Sequence, residues 1–454
     1  MIADLGGLLL LNACILAAGT GVTCLAGWWR DARSLRWSVG VSYLVGLATY
    51  GVTAQLLFVL GAAMTRWEVI AVCAIPAFGS VAALGRGGSA ELRWPARTRA
   101  TTIAAAAVVA FLALLAVDLW FQPLWAFDSW TFWTPKAHAL YALNGLDAGW
   151  FSQGDLANKD YPLLLPAVEA AGFRFTGYET SLLDLQSWLI FAAFLRAVYE
   201  IGAGRAKAVV LWATIAMLVV APSVADQLAA AEADIPVAVL FAVAGMCAWV
   251  WLVERRPGAL VLATVLAGGA AATKVEGFVF TVALFAALTL VAAAERRRRA
   301  AWPVAAGLAA LGIGILPWRI WMSAHGIHNQ ASTGRLVDWS YLVHHATRIP
   351  LAIGYMVVKL ADPRAWLLVI PFAAVLIFLA LRTSARREAV FVILAVTLAF
   401  AGLVLAYWTT PFVFHHHLAT SARRIITGIV FFAAALAPLL HRSEGGERPS
   451  SLAP

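Results

Sequence analysis

Residues 258–294 read GALVLATVLAGGAAATKVEGFVFTVALFAALTLVAAA, 37 residues with one polar interruption. As one helix at 1.5 Å per residue this would reach about 55 Å, nearly twice the ~30 Å hydrocarbon core of a bilayer. The run must therefore break, and TKVEG at 273–277 is the polar place to break it. Two membrane helices joined by a tight hairpin are expected, at 258–273 and 275–294.

Working outward, similar runs recur along the chain at 5–27, 38–62, 67–84, 101–120, 182–202, 207–222, 234–253, 302–321, 366–382, 388–408 and 424–440. The segment 350–361 reads either as a half-span or as a helix on the membrane surface. Of the 454 residues, 62% are hydrophobic and only 13% charged, about half the charged share of a soluble domain. A water-soluble fold is excluded, and the short alternating strands of a membrane β-barrel are absent. The fold class is an all-α polytopic membrane protein with about 12–13 transmembrane helices. The four cysteines, Cys14, Cys24, Cys73 and Cys247, fall inside apolar runs and read as small buried hydrophobes. No basic residue precedes the first run, which reads as a retained span.

The net charge of +9 does not point to nucleic acid, because its placement follows the membrane. Arg30, Arg33 and Arg36, then Arg86, Arg93, Arg97 and Arg99, then Arg205 and Lys207 lie in alternate loops. The same set continues with Arg255 and Arg256, Arg296 to Arg299, Arg382, Arg386 and Arg387, and the tail arginines Arg442 and Arg448. By the positive-inside rule these loops are cytoplasmic. The remaining polar loops then share the opposite face: 121–181, 223–233, the Lys274–Glu276 hairpin, 322–350 and 409–423.

Those outer loops carry the candidate chemistry. FDSWTFWTPKAHALY, residues 127–141, places Asp128 among Trp125, Trp130 and Trp133. Thr134 reads as the N-cap of a short surface helix, with Pro135 just inside and Asn144–Gly145 as its stop. Asp128 is either a turn cap within an aromatic belt or a base exposed to both water and headgroups. Tyr161 and Pro162 open another short apolar helix, after a Lys159–Asp160 pair expected to be solvated. PSVADQLAAAEADIP, residues 222–236, holds Asp226, Glu232 and Asp234. Asp234 suits an N-cap, and three acids with no base could also bind a metal or take a proton. Lys274 and Glu276 at the membrane edge either snorkel or meet an anion. HHHLATSARR, residues 415–424, lacks the spacing of a helical zinc pair and favours an anionic headgroup.

In order, these features resemble the GT-C superfamily of glycosyltransferases, its protein O-mannosyltransferase and aminoarabinose transferase-like branch. An outer loop opens with an Asp and an interfacial helix, then come YPLLLP (161–166), FTGYE (175–179), ADIP (233–236) and LAGGAAATKVEG (266–277). The resemblance covers roughly residues 101–295. It implies a GT-C-like core at 101–300 with a catalytic outer loop at 121–181. Three extra spans precede the core, within 1–100. Variable helices at 301–440 and a cytoplasmic tail at 441–454 follow it. Ser129 stands where the family often has a second acid. The resemblance implies Asp128 as catalytic base, Asp234 as a second acid and Lys274 beside the donor phosphate.

The implied reaction is inverting transfer of a sugar from a polyprenyl-phosphate donor, arriving through the membrane lipids, to a glycan, lipid or protein acceptor outside the cytoplasm. The implied setting is a bacterial inner membrane. Arg335, Arg423, Arg424 and His417 would join Lys274 at the phosphate. Trp130, Trp133, Lys136, Tyr161, Glu232 and Glu276 would line the substrate site. No cofactor is required, and no motif supports a divalent metal. A lipid-linked glycan polymerase or ligase and a secondary transporter are the alternatives. One-sided charges at span ends and the absence of repeated halves weigh against the transporter.

Overall fold

The structure, a computed structural model, describes residues 2–81, 98–153, 158–327 and 334–442. The expected positions of His328, Arg86, Arg93, Arg97 and Arg448 lie outside the described residues. Within them the chain is helical, with no β-sheet. Eight helices are long and apolar enough to cross a bilayer: Asp4–Leu25, Val39–Val59, Arg99–Phe121, Thr180–Gly202, Asp234–Glu254, Val275–Glu295, Arg386–Trp408 and Phe414–Leu440. Two bent pairs, Ala208–Val220 with Pro222–Leu228 and Arg297–Gly314 with Leu316–Ala324, raise the number to ten. The first bends by 54° where Pro222 follows extended Ala221, since proline cannot continue the hydrogen-bond ladder. The protein is a multi-pass membrane protein. Pro257–Thr273 and Val369–Ala380 are shorter apolar helices at two of the three remaining expected runs; the third, 67–84, falls on Arg66–Val81, a sixteen-residue helix with Pro76 inside it.

The 258–294 run does break at TKVEG, and one residue suffices. Lys274 is extended (φ −153°, ψ 159°) between Pro257–Thr273 and Val275–Glu295. Gly277 permits the tight return, because a Cβ there would collide with the Ala270 carbonyl. Small residues set other close approaches. A Cβ on Gly46 would strike the Ile15 carbonyl, which lets the first two spans pack backbone to backbone.

The Asp234–Glu254 helix lies at the centre of the bundle, its whole apolar window buried. Phe241 stacks on Phe280 at 4.6 Å and on Phe432 at 4.5 Å, tying this helix to two others. Centring this helix also centres its first residue, Asp234. By contrast Arg99–Phe121 is only 11% buried and stands at the periphery, so it delivers the Asp128 loop from the side.

Two expectations change, and one open segment is defined. The last span begins at Phe414, not at 424, so HHHLATSARR forms the first turns of a helix rather than a loop. Thr134 is not a cap: the chain enters Thr134–Ala142 through a π-helical turn at Ser129–Trp133, leaving the buried Thr134 hydroxyl without a partner among the described residues. Arg348–Leu360 is a thirteen-residue helix that buries Ala352 and Met356, one turn apart. At about 20 Å it is too short to cross.

Candidate functional site

Asp128 follows the peripheral helix after Gln122 and a short connection, and it opens the Ser129–Trp133 π-turn. Such turns insert one extra residue per turn and recur at functional sites. Ser129 is buried and donates its hydroxyl to the Ala230 carbonyl. That bond fastens the Asp128 turn to the segment before the central helix. There Ala231 adopts a left-handed conformation (φ 48°), costly for a residue with a Cβ, and turns the chain so that Glu232 faces Asp128.

Arg424 joins the two segments. Its Nη2 donates to Asp128 Oδ2 at 2.6 Å and its Nη1 donates to Glu232. Behind Glu232, Asp234 accepts from Lys274 Nζ at 2.7 Å, and Lys274 also lies 3.4 Å from Glu276. Asp234 does not cap its helix. It is the first helical residue, makes no cap bond, and spends its carboxylate on Lys274. Four acids and two bases from four separate segments thus form one ionic cluster. Burial, reinforced by neighbouring Asp234, pushes Glu232 up to about 8, with Arg424 opposing. Burial penalises the Lys274 charge, but Asp234 and Glu276 more than offset that and hold its ammonium above the usual range. Glu276 Oε2 and Arg424 Nε are buried with no hydrogen-bond partner among the described residues, whereas Asp234 also hydrogen-bonds the Glu232 carboxyl. Buried polar atoms are usually paired, so two orphans in one cluster mark a place built for a polar ligand.

Tyr161 borders the cluster. Burial and then Glu276, Asp160, Asp128 and Asp234 raise its phenol well above the usual value. Its ring packs against Phe132 and Trp133, at 5.7 and 5.5 Å. Trp133 is 1% exposed, so it supports Tyr161 from behind and offers no face to a sugar. Trp130 is 53% exposed and, with Trp125 and Phe127, forms the open aromatic rim beside Asp128.

Other expected residues fall elsewhere. Lys136 is fully buried, donating from Nζ to the carbonyls of Asn158 at 2.6 Å and Tyr161 at 3.2 Å. It shapes the loop that carries Tyr161 rather than facing substrate. Arg423 points away from Arg424 and pairs with Asp226 at 3.2 Å, both about half exposed, because adjacent helical residues diverge by about 100°. His417, seven residues before Arg424, shares its helical face and hydrogen-bonds the Thr410 hydroxyl through Nδ1 at 2.8 Å. Arg335 lies over the Tyr341 ring at 5.1 Å. Tyr341 donates to the Thr410 carbonyl, so Arg335 reaches His417 only through two intermediaries.

Asp160 is not solvated. It is 3% exposed, with Arg319 at 3.8 Å. Arg319, inside the apolar LPWRIW stretch, is a polar neighbour that the sequence reading placed within a span. Among the described residues no group of three or more His, Cys, Asp or Glu is arranged to hold a metal ion. Comparison of the chain with known protein families, curated proteins and solved structures finds no match.

Proposed function

We propose that this protein is an inverting glycosyltransferase of the GT-C type, moving a sugar from a polyprenyl-phosphate donor to an acceptor hydroxyl on the non-cytoplasmic side of a bacterial inner membrane. The observation that carries the reading is Asp128 itself. It is a partly exposed carboxylate between an open aromatic rim and a buried ionic cluster with orphaned polar atoms. A lipid-borne donor enters from the rim side, and its charged phosphate meets the cations behind.

In this reaction the acceptor oxygen bonds to the anomeric carbon as the carbon–oxygen bond to phosphate breaks. Asp128 takes the acceptor proton, and polyprenyl phosphate departs carrying the electron pair. Arg424 and Lys274 are already neutralised by carboxylates in the free protein. The donor phosphate therefore competes with Asp128 for Arg424, and winning that contest frees the base. Tyr161 and Trp130 border the sugar.

The test uses the full chain reconstituted in proteoliposomes with polyprenyl-phosphate-linked sugars and candidate acceptor lipids. Transfer by the wild type, abolished in a folded Asp128→Asn variant, supports the proposal. Near-normal transfer by that variant removes Asp128 from the mechanism. Solute uptake without any lipid-linked sugar would replace the enzyme with a transporter.

A further inference from the structure

At the opposite end of the Arg99–Phe121 helix from Asp128 lies a cavity of about 420 Å³. One wall runs from Thr101 to Leu112 on that outlying helix. The other is made by Ala192–Tyr199 of the Thr180–Gly202 span and by Ala208–Ile215. Eleven residues at 1.5 Å give a depth of about 16 Å, half the ~30 Å hydrocarbon core. The cavity is therefore one leaflet deep. Because its outer wall is only 11% buried within the protein, that helix faces lipid and the cavity is reached sideways from the bilayer.

Its walls are apolar along the depth and change character at the mouth. Trp37, Tyr199 and Trp212 line that end together with Arg196, whose guanidinium lies 5.4 Å from the Trp37 ring and 5.7 Å from the Tyr199 ring. Arg196 donates to Glu200 at 2.7 Å and to the Arg36 carbonyl at 2.7 Å. Glu200 also accepts from the backbone amides of Gly40 and Val41, so its charge is shared with a helix N-terminus. Arg36, Arg99 and Lys207 are exposed beside the lining residues Trp37, Thr101 and Ala208. The balance at the mouth is positive.

We propose that this cavity is a binding site for an anionic phospholipid of the arginine-rich leaflet, one acyl chain filling it and the phosphate resting among Arg196, Arg99 and Lys207. An apolar slot of leaflet depth fits a chain, an aromatic collar fits the interface, and basic pockets between membrane helices attract phosphate headgroups. The site is separate from the Asp128 cluster and does not depend on its chemistry. It touches the same helix, so lipid held here would fix the angle at which that helix carries the Asp128 loop.

The experiment is native mass spectrometry of the detergent-purified full chain titrated with phosphatidylglycerol or phosphatidylcholine. The wild type is expected to retain one phosphatidylglycerol at about tenfold lower concentration than phosphatidylcholine. Ala105→Trp, which fills the slot from the outlying helix, and Arg99→Gln, at an exposed position, should both erase the preference. Arg297→Gln with Arg298→Gln, on a different basic loop, should preserve it. Equal retention of the two lipids, unchanged binding in Ala105→Trp, or tighter retention of a polyprenyl phosphate than of phosphatidylglycerol would each overturn the assignment.

Discussion

Arg424 grips two acids that are far apart in sequence, Asp128 through Nη2 at 2.6 Å and Glu232 through Nη1. A planar guanidinium can serve both at once, whereas a lysine ammonium is a point charge that favours one. Arg424→Lys is expected to fold and to lose transfer by about 100-fold, since both the phosphate contact and the Asp128 orientation suffer. Arg424→Ala takes the cation from Asp128 and the hydrogen-bond donor from the buried Glu232 carboxyl, and should cost about 1–3 kcal/mol of stability. Thermal unfolding in detergent alongside turnover separates the two effects. Arg424→Lys with wild-type turnover would contradict the bridging role.

Glu232 is a proton-holding group at neutral pH, because burial and Asp234 lift its carboxyl from an ordinary 4.5 to about 8. A raised carboxyl binds its proton more tightly folded than unfolded. Its stabilising contribution is therefore complete below 4.5 and is lost as pH climbs toward 8. The thermal midpoint should fall across that window, and Glu232→Gln should flatten the fall. The same ionisation strengthens the competitor for Arg424, so the wild-type turnover profile should also change near pH 8 and the variant's should not. An identical pH profile in Glu232→Gln excludes this group.

The spans were legible because a bilayer demands long apolar runs, and the chain supplies them with arginines at alternate ends. The acids on one face were legible too, since each lies where a run stops. Pairing was not. Arg424 and Glu232 are 192 positions apart, and no local pattern links them. The burial of Lys136 is not legible, because its helix, Thr134–Ala142, looks like a surface helix, yet it buries that lysine against two carbonyls. Arg319 was hidden by its apolar neighbours, which gave no sign of Asp160. The histidine run reads as a loop because polar residues in sequence resemble a break. In the fold they begin a span, with His417 and Arg424 turned toward the same side.

Gly277 sets the hairpin that presents Lys274, and its amide donates to the Lys274 carbonyl at 2.9 Å. A methyl group here would strike the Ala270 carbonyl, forcing the two helices apart at their shared end. Gly277→Ala is expected to shift Lys274 relative to Asp234 and to lower turnover by about tenfold to 100-fold. The long apolar remainder of both helices should keep the protein folded. Unaltered turnover in the purified variant would show that the tight return is dispensable.

Lys136 gives a pH effect of opposite sign. Burial pushes its ammonium from 10.5 down to about 7 against the attraction of Asp160. The folded state then disfavours the charged form, so between pH 7 and 10.5 the unfolded chain binds more protons and stability rises with pH. Below 7 both states are protonated and the effect is constant. The wild-type thermal midpoint should therefore climb on the alkaline side, reversing the decline attributed to Glu232. Lys136→Met should remove the climb, and on the alkaline side it should lower the midpoint, because the Asn158 and Tyr161 carbonyls lose their donor, at about 1–3 kcal/mol for each unsatisfied group. A midpoint in Lys136→Met that still climbs from pH 7 to 10.5 as in the wild type would assign the effect to another residue.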